Sequence, residues 1–109
     1  MDITQIDENV SIAGQIAPDA MQELKSQGFR SIISNRPDGE EPGQPSWSEI
    51  EAAAKDAGLE ARHIPIAGPG DLAARSGDFA RAVDEMPTPI LAFCRTGNRS
   101  GKLYEVSKG

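Results

Sequence analysis

The chain has 109 residues, of which 17 are acidic and 11 basic, so its formal net charge at pH 7 is −6. This length predicts one domain over residues 1–109, and the acidic balance argues against nucleic acid as the main partner. No apolar run is long enough to cross a bilayer and no secretion signal is recognisable, which predicts a cytoplasmic protein without a membrane partner. A single cysteine and a single histidine argue against disulfides and against a metal centre, and we expect no cofactor.

Short apolar runs alternate with amphipathic stretches along the chain. Four runs have the length and composition of strands, namely residues 10–13, 29–34, 61–66 and 88–93. Between them, helices are predicted from Pro18 to Gly28, from Ser46 to Gly58, and from Asp71 or Asp78 to Pro87. A last short helix follows Gly97 and ends near Ser107.

This alternation predicts an α/β fold with a mainly parallel sheet of four or five strands covered by helices. Ser46 and Glu49 have the spacing of a capping box and define the clearest helix. Ligands of such folds bind beyond the carboxyl ends of the strands, and Cys94 stands at one of these ends. The final helix is short for a complete fold, so we expect a truncated or frayed C-terminus.

The segment from Phe93 to Lys102 carries the clearest chemical signal. A buried strand would bring Cys94 to the edge of the sheet, and a short loop would lead from it into a helix. Backbone N–H groups of that loop and of the first helical turn would then point to the sulfur and form a concave anion site. Such surroundings favour the thiolate over the thiol, which makes Cys94 a candidate nucleophile.

Other residues of this loop fit the same site. Gly97 permits a positive φ or a close backbone approach, and the Ser100 hydroxyl is able to donate a hydrogen bond to the sulfur. Arg99 opposes the dipole of its own helix, so we expect an anion beside it. The predicted substrate-binding residues are Arg95, Thr96, Gly97, Asn98 and Ser100 of the loop, together with Arg36 at the end of the second predicted strand.

Two families of cysteine enzymes use a loop of this kind. Protein tyrosine and dual-specificity phosphatases have five residues between the cysteine and the arginine, whereas Cys94 and Arg99 are separated by four. The segment Cys-Arg-Thr-Gly-Asn-Arg-Ser therefore resembles the loop of single-domain rhodaneses. A loop shorter by one residue should have a smaller mouth, better matched to one extra sulfur atom than to a phosphoryl group.

Nearly the whole chain, from about Ile3 to Tyr104, resembles the beta-lactamase hydrolase-like family. The resemblance rests on residues 31–46, which contain Asn-Arg-Pro-Asp-Gly-Glu, on residues 61–65, and on the cysteine loop. It implies a dual-specificity-phosphatase-like fold of three layers with a rhodanese-type loop. Members of the family occur alone or fused to a metallo-beta-lactamase-type persulfide dioxygenase, which the resemblance makes a candidate partner.

The main functional hypothesis is a sulfurtransferase. The Cys94 thiolate would take the outer sulfur of thiosulfate or of a persulfide, hold it as a persulfide beside Arg99, and pass it to a thiophilic acceptor. This reaction needs no general acid because its leaving groups are stable anions. The alternatives are a phosphatase that forms a phosphocysteine at Cys94, and a sensing module in which sulfide or an oxidant modifies Cys94.

A phosphatase would also need a general acid, and Asp71 and Asp38 are the candidates. Asp71, in a Gly-Pro-Gly-Asp loop, is the better one, although helix capping also explains it, as turn formation explains Asp38. We expect Arg36 to meet an anionic substrate or to pair with Asp38 or Glu40. The simplest interpretation of His63 and Trp47 is structural.

Overall fold

A five-stranded sheet forms the centre of the computed structural model, which describes residues 1–108. Its strands are β1 (Ile3–Gln5), β2 (Val10–Ala13), β3 (Ser31–Ser34), β4 (Glu60–His63) and β5 (Ile90–Phe93). Their order across the sheet is β1-β2-β5-β3-β4. The first pair is antiparallel and the other three pairs are parallel, so the predicted α/β fold with a mainly parallel sheet is confirmed.

Helices cover both faces of this sheet. Within the described part of the chain they are α1 (Met21–Ser26), α2 (Trp47–Asp56), α3 (Pro69–Glu85) and α4 (Asn98–Lys108), and a 3-10 turn precedes α1. Buried residues of α1 and α2 belong to one apolar cluster, and those of α3 and α4 belong to another. The three layers are thus helices, sheet and helices. None of these helices, within residues 1–108, is both long and apolar enough to cross a membrane.

The central strands β3 and β5 are buried throughout because both of their faces are covered. Successive side chains of a strand point to opposite faces. Ile32 and Leu91 accordingly join the cluster on the α1/α2 side, whereas Ile33 and Ile90 join the cluster on the α3/α4 side. All residues of β3 and β5 are buried.

The strands are shorter than the apolar runs that predict them. Residues 29–34 and 88–93 each contribute four strand residues and residues 61–66 contribute three, because β3, β4 and β5 pair over one common four-residue register that begins at Glu60 in β4. Beyond β4, Ile64 and Ile66 are buried in loop conformation, and their N–H groups donate to Ser34 and Asn35. The antiparallel strand β1 was not among the predicted strands.

The register brings four strand ends to one edge of the sheet. Ala13 pairs with Phe93, Phe93 with Ser34, and Ser34 with His63. The residues that directly follow these ends, among them Cys94 and Asn35, therefore meet at a single place.

Candidate active site

Cys94 follows β5 directly and is fully buried, with 0% of its surface exposed. The Gly97 N–H group donates to its sulfur at 3.0 Å. The N–H groups of Thr96 and Ser100 also favour negative charge on this sulfur. Three backbone N–H groups thus act on one sulfur, an arrangement that stabilises negative charge.

These donors set the protonation of the Cys94 thiol. Burial is the strongest single influence on its pKa and raises it. The backbone N–H groups of Ser100, Thr96 and Gly97 and, more weakly, the Ser100 hydroxyl act in the opposite direction, and together they bring the pKa of Cys94 below the ordinary value for a thiol. A thiolate of this kind is the reactive form of cysteine.

Gly97 allows the loop to close around the sulfur. Its φ is +96°, a conformation that favours glycine, and a Cβ there would lie only 3.4 Å from the Ala13 carbonyl oxygen. Gly14 approaches the other side of the loop, where a Cβ would lie 3.0 Å from the Arg95 carbonyl oxygen. The segment after β2 therefore packs directly against the cysteine loop.

Arg99 faces both the sulfur and a carboxylate. Its Nη1 donates to Glu40 Oε2 at 2.7 Å and its Nη2 to Glu40 Oε1 at 2.8 Å, which is a bidentate pair. The hydrogen bond from Arg99, assisted by Arg36 and opposed by burial, lowers the pKa of Glu40 to about 2. The same carboxylate, with a smaller contribution from the Cys94 thiolate, raises the pKa of Arg99. The anion expected beside Arg99 is thus Glu40, from the loop after β3.

The ion pairs continue beyond Glu40. Arg36, which is 3% exposed, donates from Nε to Glu40 at 2.9 Å and from Nη2 to Glu41 at 2.5 Å. Arg95 approaches Glu41 at 3.3 Å. We call Arg99, Glu40, Arg36, Glu41 and Arg95 the arginine–glutamate network. It fixes the loop after β3 against the cysteine loop.

Asn35 and Ser100 form a second, uncharged contact between these two loops. Both are fully buried, and the Ser100 hydroxyl donates to Asn35 Oδ1 at 2.8 Å. The sequence suggests the sulfur as an acceptor for this hydroxyl; in the structure the hydroxyl donates to Asn35 and also lowers the pKa of Cys94. Of the remaining predicted loop residues, Thr96 accepts from the Asn98 N–H at 3.3 Å, which shapes the first turn of α4.

Both candidate acids cap helices. The Asp71 carboxylate accepts from the N–H groups of Ala67 and Gly68, at 2.8 and 3.4 Å, at the start of α3. The Asp38 carboxylate accepts from the Trp47 N–H at 2.7 Å, at the start of α2. Each carboxylate is therefore engaged with backbone donors in this conformation.

His63 has structural partners. Its Nε2 lies 2.8 Å from the Arg36 carbonyl oxygen, and its ring stacks on Trp47 with centroids 5.0 Å apart. Because a carbonyl only accepts, Nε2 carries a proton in this contact. Among residues 1–108 no group of three or more His, Cys, Asp or Glu side chains is arranged to hold a metal ion.

Sequence reasoning did not assign a role to Asn35, Glu41 or Gln15, although all three contact predicted site residues. Gln15 accepts from Arg36 Nη1 at 3.0 Å. The one available signal was the position of Asn35 and Gln15, which follow the ends of β3 and β2 as Cys94 follows β5.

Comparison with known proteins places these features in a family. Residues 2–109 match the family model for the phosphatase-like domain of beta-lactamase hydrolase-like proteins. The beta-lactamase hydrolase-like protein of Agrobacterium fabrum is 40% identical over 108 residues, which are 99% of this chain and 25% of that protein. The corresponding protein of Xylella fastidiosa strain Temecula1 is 38% identical with the same coverage. The chain thus spans about a quarter of the length of these relatives.

Solved structures agree with this match. A Neisseria meningitidis protein, assigned provisionally as a phosphatase, superposes with a TM-score of 0.82 at 30% identity, covering 95% of this chain and 74% of the other. The core catalytic domain of the PP-IP phosphatase SIW14 from S. cerevisiae superposes with a TM-score of 0.63 at 17% identity, covering 93% and 61%. This second likeness concerns the fold alone.

These matches overturn the main functional hypothesis. The expectation of a sulfurtransferase that accepts sulfur from thiosulfate or a persulfide is wrong, because the family and its structural neighbours are phosphatase-like. The error came from counting residues between Cys94 and Arg99 to judge the width of the loop. In the structure the donors that surround the sulfur extend past Arg99 to the Ser100 N–H, so the Cys–Arg spacing does not define the anion site.

Proposed function

Because the chain belongs to the beta-lactamase hydrolase-like family, as its phosphatase-like domain, we propose that it hydrolyses phosphate monoesters through a phosphocysteine at Cys94. The observation that supports this most directly is the convergence of the Thr96, Gly97 and Ser100 N–H groups on a sulfur of lowered pKa. The same donors that stabilise a thiolate suit the oxygens of a phosphoryl group held next to it.

In the first step the Cys94 thiolate attacks phosphorus. The S–P bond forms, the bond from phosphorus to the ester oxygen breaks, and the oxygen leaves with the electron pair as an alkoxide or phenolate. The loop N–H groups and the Arg99 guanidinium stabilise the negative charge on the phosphoryl oxygens. In the second step water attacks phosphorus, the S–P bond breaks, and inorganic phosphate leaves with the thiolate restored.

Asp71 and Asp38 cap helices, and this restricts the substrates for which we propose hydrolysis. The leaving oxygen must be protonated, or it must be stable as an anion. With both candidate acids bound to backbone N–H groups, the site favours leaving groups of the second kind. We therefore propose phosphate esters of acidic phenols, whose phenolates are stable anions, rather than alkyl phosphates.

The cysteine and the arginine are tested by phosphate release from p-nitrophenyl phosphate. We expect the wild-type domain to release phosphate, Cys94→Ser to release none, and Arg99→Lys to lose a factor of about 10² to 10³ in kcat. Wild-type enzyme stopped with acid during turnover should carry one phosphoryl group on Cys94, detected by mass spectrometry. Phosphate release that persists in Cys94→Ser would overturn the proposal.

A further inference from the structure

We propose that Arg36 is a positioning residue of the proposed reaction: through Glu40, its positive charge keeps the charge of Arg99 available to the phosphoryl group. This inference rests on the proposed function, because the phosphoryl group is the anion that Arg99 binds there. The burial of Arg36 and the carboxylate that it shares with Arg99 support it.

Arg36 acts through its neighbours, because it is only 3% exposed. All three nitrogens of its guanidinium donate to protein groups. Nη1 donates to Gln15 Oε1 at 3.0 Å, Nη2 to Glu41 Oε1 at 2.5 Å, and Nε to Glu40 Oε1 at 2.9 Å. These contacts fix the guanidinium between the loops after β2 and β3.

Arg36 and Arg99 share the Glu40 carboxylate. Its Oε1 accepts from Arg36 Nε at 2.9 Å and from Arg99 Nη2 at 2.8 Å, and its Oε2 accepts from Arg99 Nη1 at 2.7 Å. Two cations thus meet one anion, which leaves one positive charge on the three side chains. Without Arg36, Glu40 would match the charge of Arg99 one to one.

Arg99 keeps one edge of its guanidinium for an anion at Cys94. Both N–H groups of its Nη1 are used, one by Glu40 and one by the Ile66 carbonyl at 2.9 Å. Glu40 also uses one N–H of Nη2, so the other N–H of Nη2 and the N–H of Nε are left on the same edge. Arg99 also interacts with the Cys94 sulfur. A phosphoryl group beside the sulfur would therefore meet this edge.

The charge of Arg36 decides how strongly this edge attracts phosphoryl oxygens. If Arg36 were neutral, Glu40 would neutralise Arg99 and would also repel the phosphoryl group. These side chains are largely shielded from water, so their charges are screened less than those of exposed groups. We therefore expect Arg36 to influence phosphate affinity and turnover without contacting the substrate.

Arg36→Gln, alone and combined with Glu40→Gln, tests this relation. In Arg36→Gln, kcat/KM for p-nitrophenyl phosphate should fall about 10- to 100-fold, as for the loss of a charge-assisted contact. Glu40→Gln then removes the anion that Arg36 had balanced, so the combined variant should be several-fold more active than Arg36→Gln. A combined variant that is as inactive as Arg36→Gln, or less active, would overturn the proposal, because losses that accumulate indicate a purely structural role.

Arg36→Lys separates the charge of the side chain from its shape. Lysine keeps the positive charge, but its one nitrogen does not reproduce the three contacts of the guanidinium. Denaturant unfolding should show lower stability in both Arg36→Lys and Arg36→Gln, whereas kcat/KM should be clearly higher in Arg36→Lys. Equal activity losses would contradict a role of the charge. Should Arg36→Gln not fold, a kcat/KM of Arg36→Lys more than about tenfold below wild type would be the contradicting result.

Arg62→Gln is the matched control. It removes one positive charge from the chain, as Arg36→Gln does, and it breaks an ion pair of the same length, because Arg62 Nη1 donates to Glu85 Oε1 at 2.9 Å. Glu85 is the last residue of α3, and this pair is separate from the arginine–glutamate network. Arg62→Gln should therefore keep the kcat/KM of wild type. A loss as large as that of Arg36→Gln would make the net charge of the chain responsible, and the proposal would fail.

Binding of inorganic phosphate tests Arg36 independently of turnover. In calorimetric titration the dissociation constant should rise about tenfold or more in Arg36→Gln and fall again when Glu40→Gln is added. A domain with this pattern that hydrolyses no ester would refute the proposed function and leave the role of Arg36 toward phosphate standing. An unchanged dissociation constant in Arg36→Gln would refute the role of Arg36, and a wild-type domain that binds no phosphate would refute both.

Discussion

At the scale of the residue, the reactivity of Cys94 comes from backbone donors and not from a neighbouring base. The lone histidine, His63, is bonded to the Arg36 carbonyl and stacked on Trp47, so it serves the structure of the loop. The sulfur instead receives N–H groups from Thr96, Gly97 and Ser100. The orientation of these N–H groups depends on the positive φ of Gly97, so a substitution of Gly97 tests their effect on the thiolate.

We expect Gly97→Ala to lower the unfolding free energy and to raise the pKa of Cys94. A φ of +96° strains any residue with a Cβ, which costs about 1–2 kcal/mol of unfolding free energy. Relief of this strain moves the loop backbone and with it the Gly97 N–H, so the pKa of Cys94 should rise. Denaturant unfolding and thiolate absorbance measure the two effects.

Gly28→Ala provides the comparison for Gly97→Ala. Gly28 has a φ of +102°, and a Cβ there meets nothing within 4 Å. The Gly28→Ala variant should lose a similar amount of unfolding free energy, and the pKa of Cys94 should not change. If both variants left the pKa unchanged, the loop backbone would not be what holds the thiolate.

Glu40 should make stability depend on acid pH. Its pKa is lowered to about 2 in the folded domain, chiefly by the hydrogen bond from Arg99. A lowered folded-state pKa contributes stability that is fully present above the usual carboxyl pKa and is lost as the pH falls toward 2. The melting temperature should therefore fall between pH 5 and pH 2.

Glu40→Gln isolates this contribution. It should be less stable than wild type by about 1–3 kcal/mol at pH 7, because charge-assisted hydrogen bonds to Arg99 and Arg36 are lost. The difference should stay constant from pH 6 to pH 8 and shrink below pH 5. A difference that is the same at pH 3 and at pH 7 would contradict the assigned ionisation.

At the scale of the element, the loops that contact Arg99 also cap the helices that follow them. The loop after β3 supplies Glu40 to Arg99 and Asp38 to the start of α2. The loop after β4 supplies the Ile66 carbonyl to Arg99 and, through Asp71, caps α3. One short segment therefore both contacts Arg99 and caps a helix. A substitution of Asp71 tests whether this residue acts only as a cap.

Asp71→Asn should weaken a cap and leave the chemistry of the leaving group alone. The amide oxygen still accepts from the backbone, so only the negative charge at the start of α3 is lost, which costs about 0.3–1 kcal/mol. With Asp71 acting as a cap, turnover of a series of aryl phosphates should fall by the same small factor whatever the pKa of the leaving phenol. A loss that grows as the phenol becomes less acidic would instead make Asp71 the general acid.

Ser46→Ala calibrates the stability part of that experiment. The Ser46 hydroxyl accepts from the Glu49 N–H at 3.2 Å and caps α2 by the predicted capping box. Its loss should cost about 1 kcal/mol, at least as much as Asp71→Asn, because alanine has no acceptor for the Glu49 N–H. Dependence on the leaving group is not expected in this variant.

How far the sequence predicts these elements depends on whether their causes are local. The predictions for β2 and α2 hold because an apolar run of four residues and a capping box are local signals. The strand β1 is three residues long with two of them exposed, so only its pairing with β2 defines it. The contacts of Arg99 with Glu40 and of Ser100 with Asn35 join residues 59 and 65 positions apart, and no local pattern reveals them.

At the scale of the whole molecule, the charge near Cys94 differs from the charge of the chain. The arginine–glutamate network has three cations and two anions, which leaves one positive charge, and the Cys94 thiolate cancels it. The chain as a whole carries −6 within extents of 33 × 32 × 22 Å. The charged side chains near Cys94 therefore give an approaching anion little long-range attraction, and the net charge of the whole chain opposes its approach.

Salt should consequently speed the approach of anions to Cys94. At low ionic strength the Debye length of about 30 Å spans the molecule, whereas at 0.1 M it is about 10 Å and screens the distant carboxylates. The rate of Cys94 alkylation by iodoacetate should rise about two- to fivefold over this range, and that by neutral iodoacetamide should not change. A rate for iodoacetate that falls with salt would mean that the three arginines dominate the field, and that the pairing of Arg99 and Arg36 with the two glutamates does not neutralise them in solution.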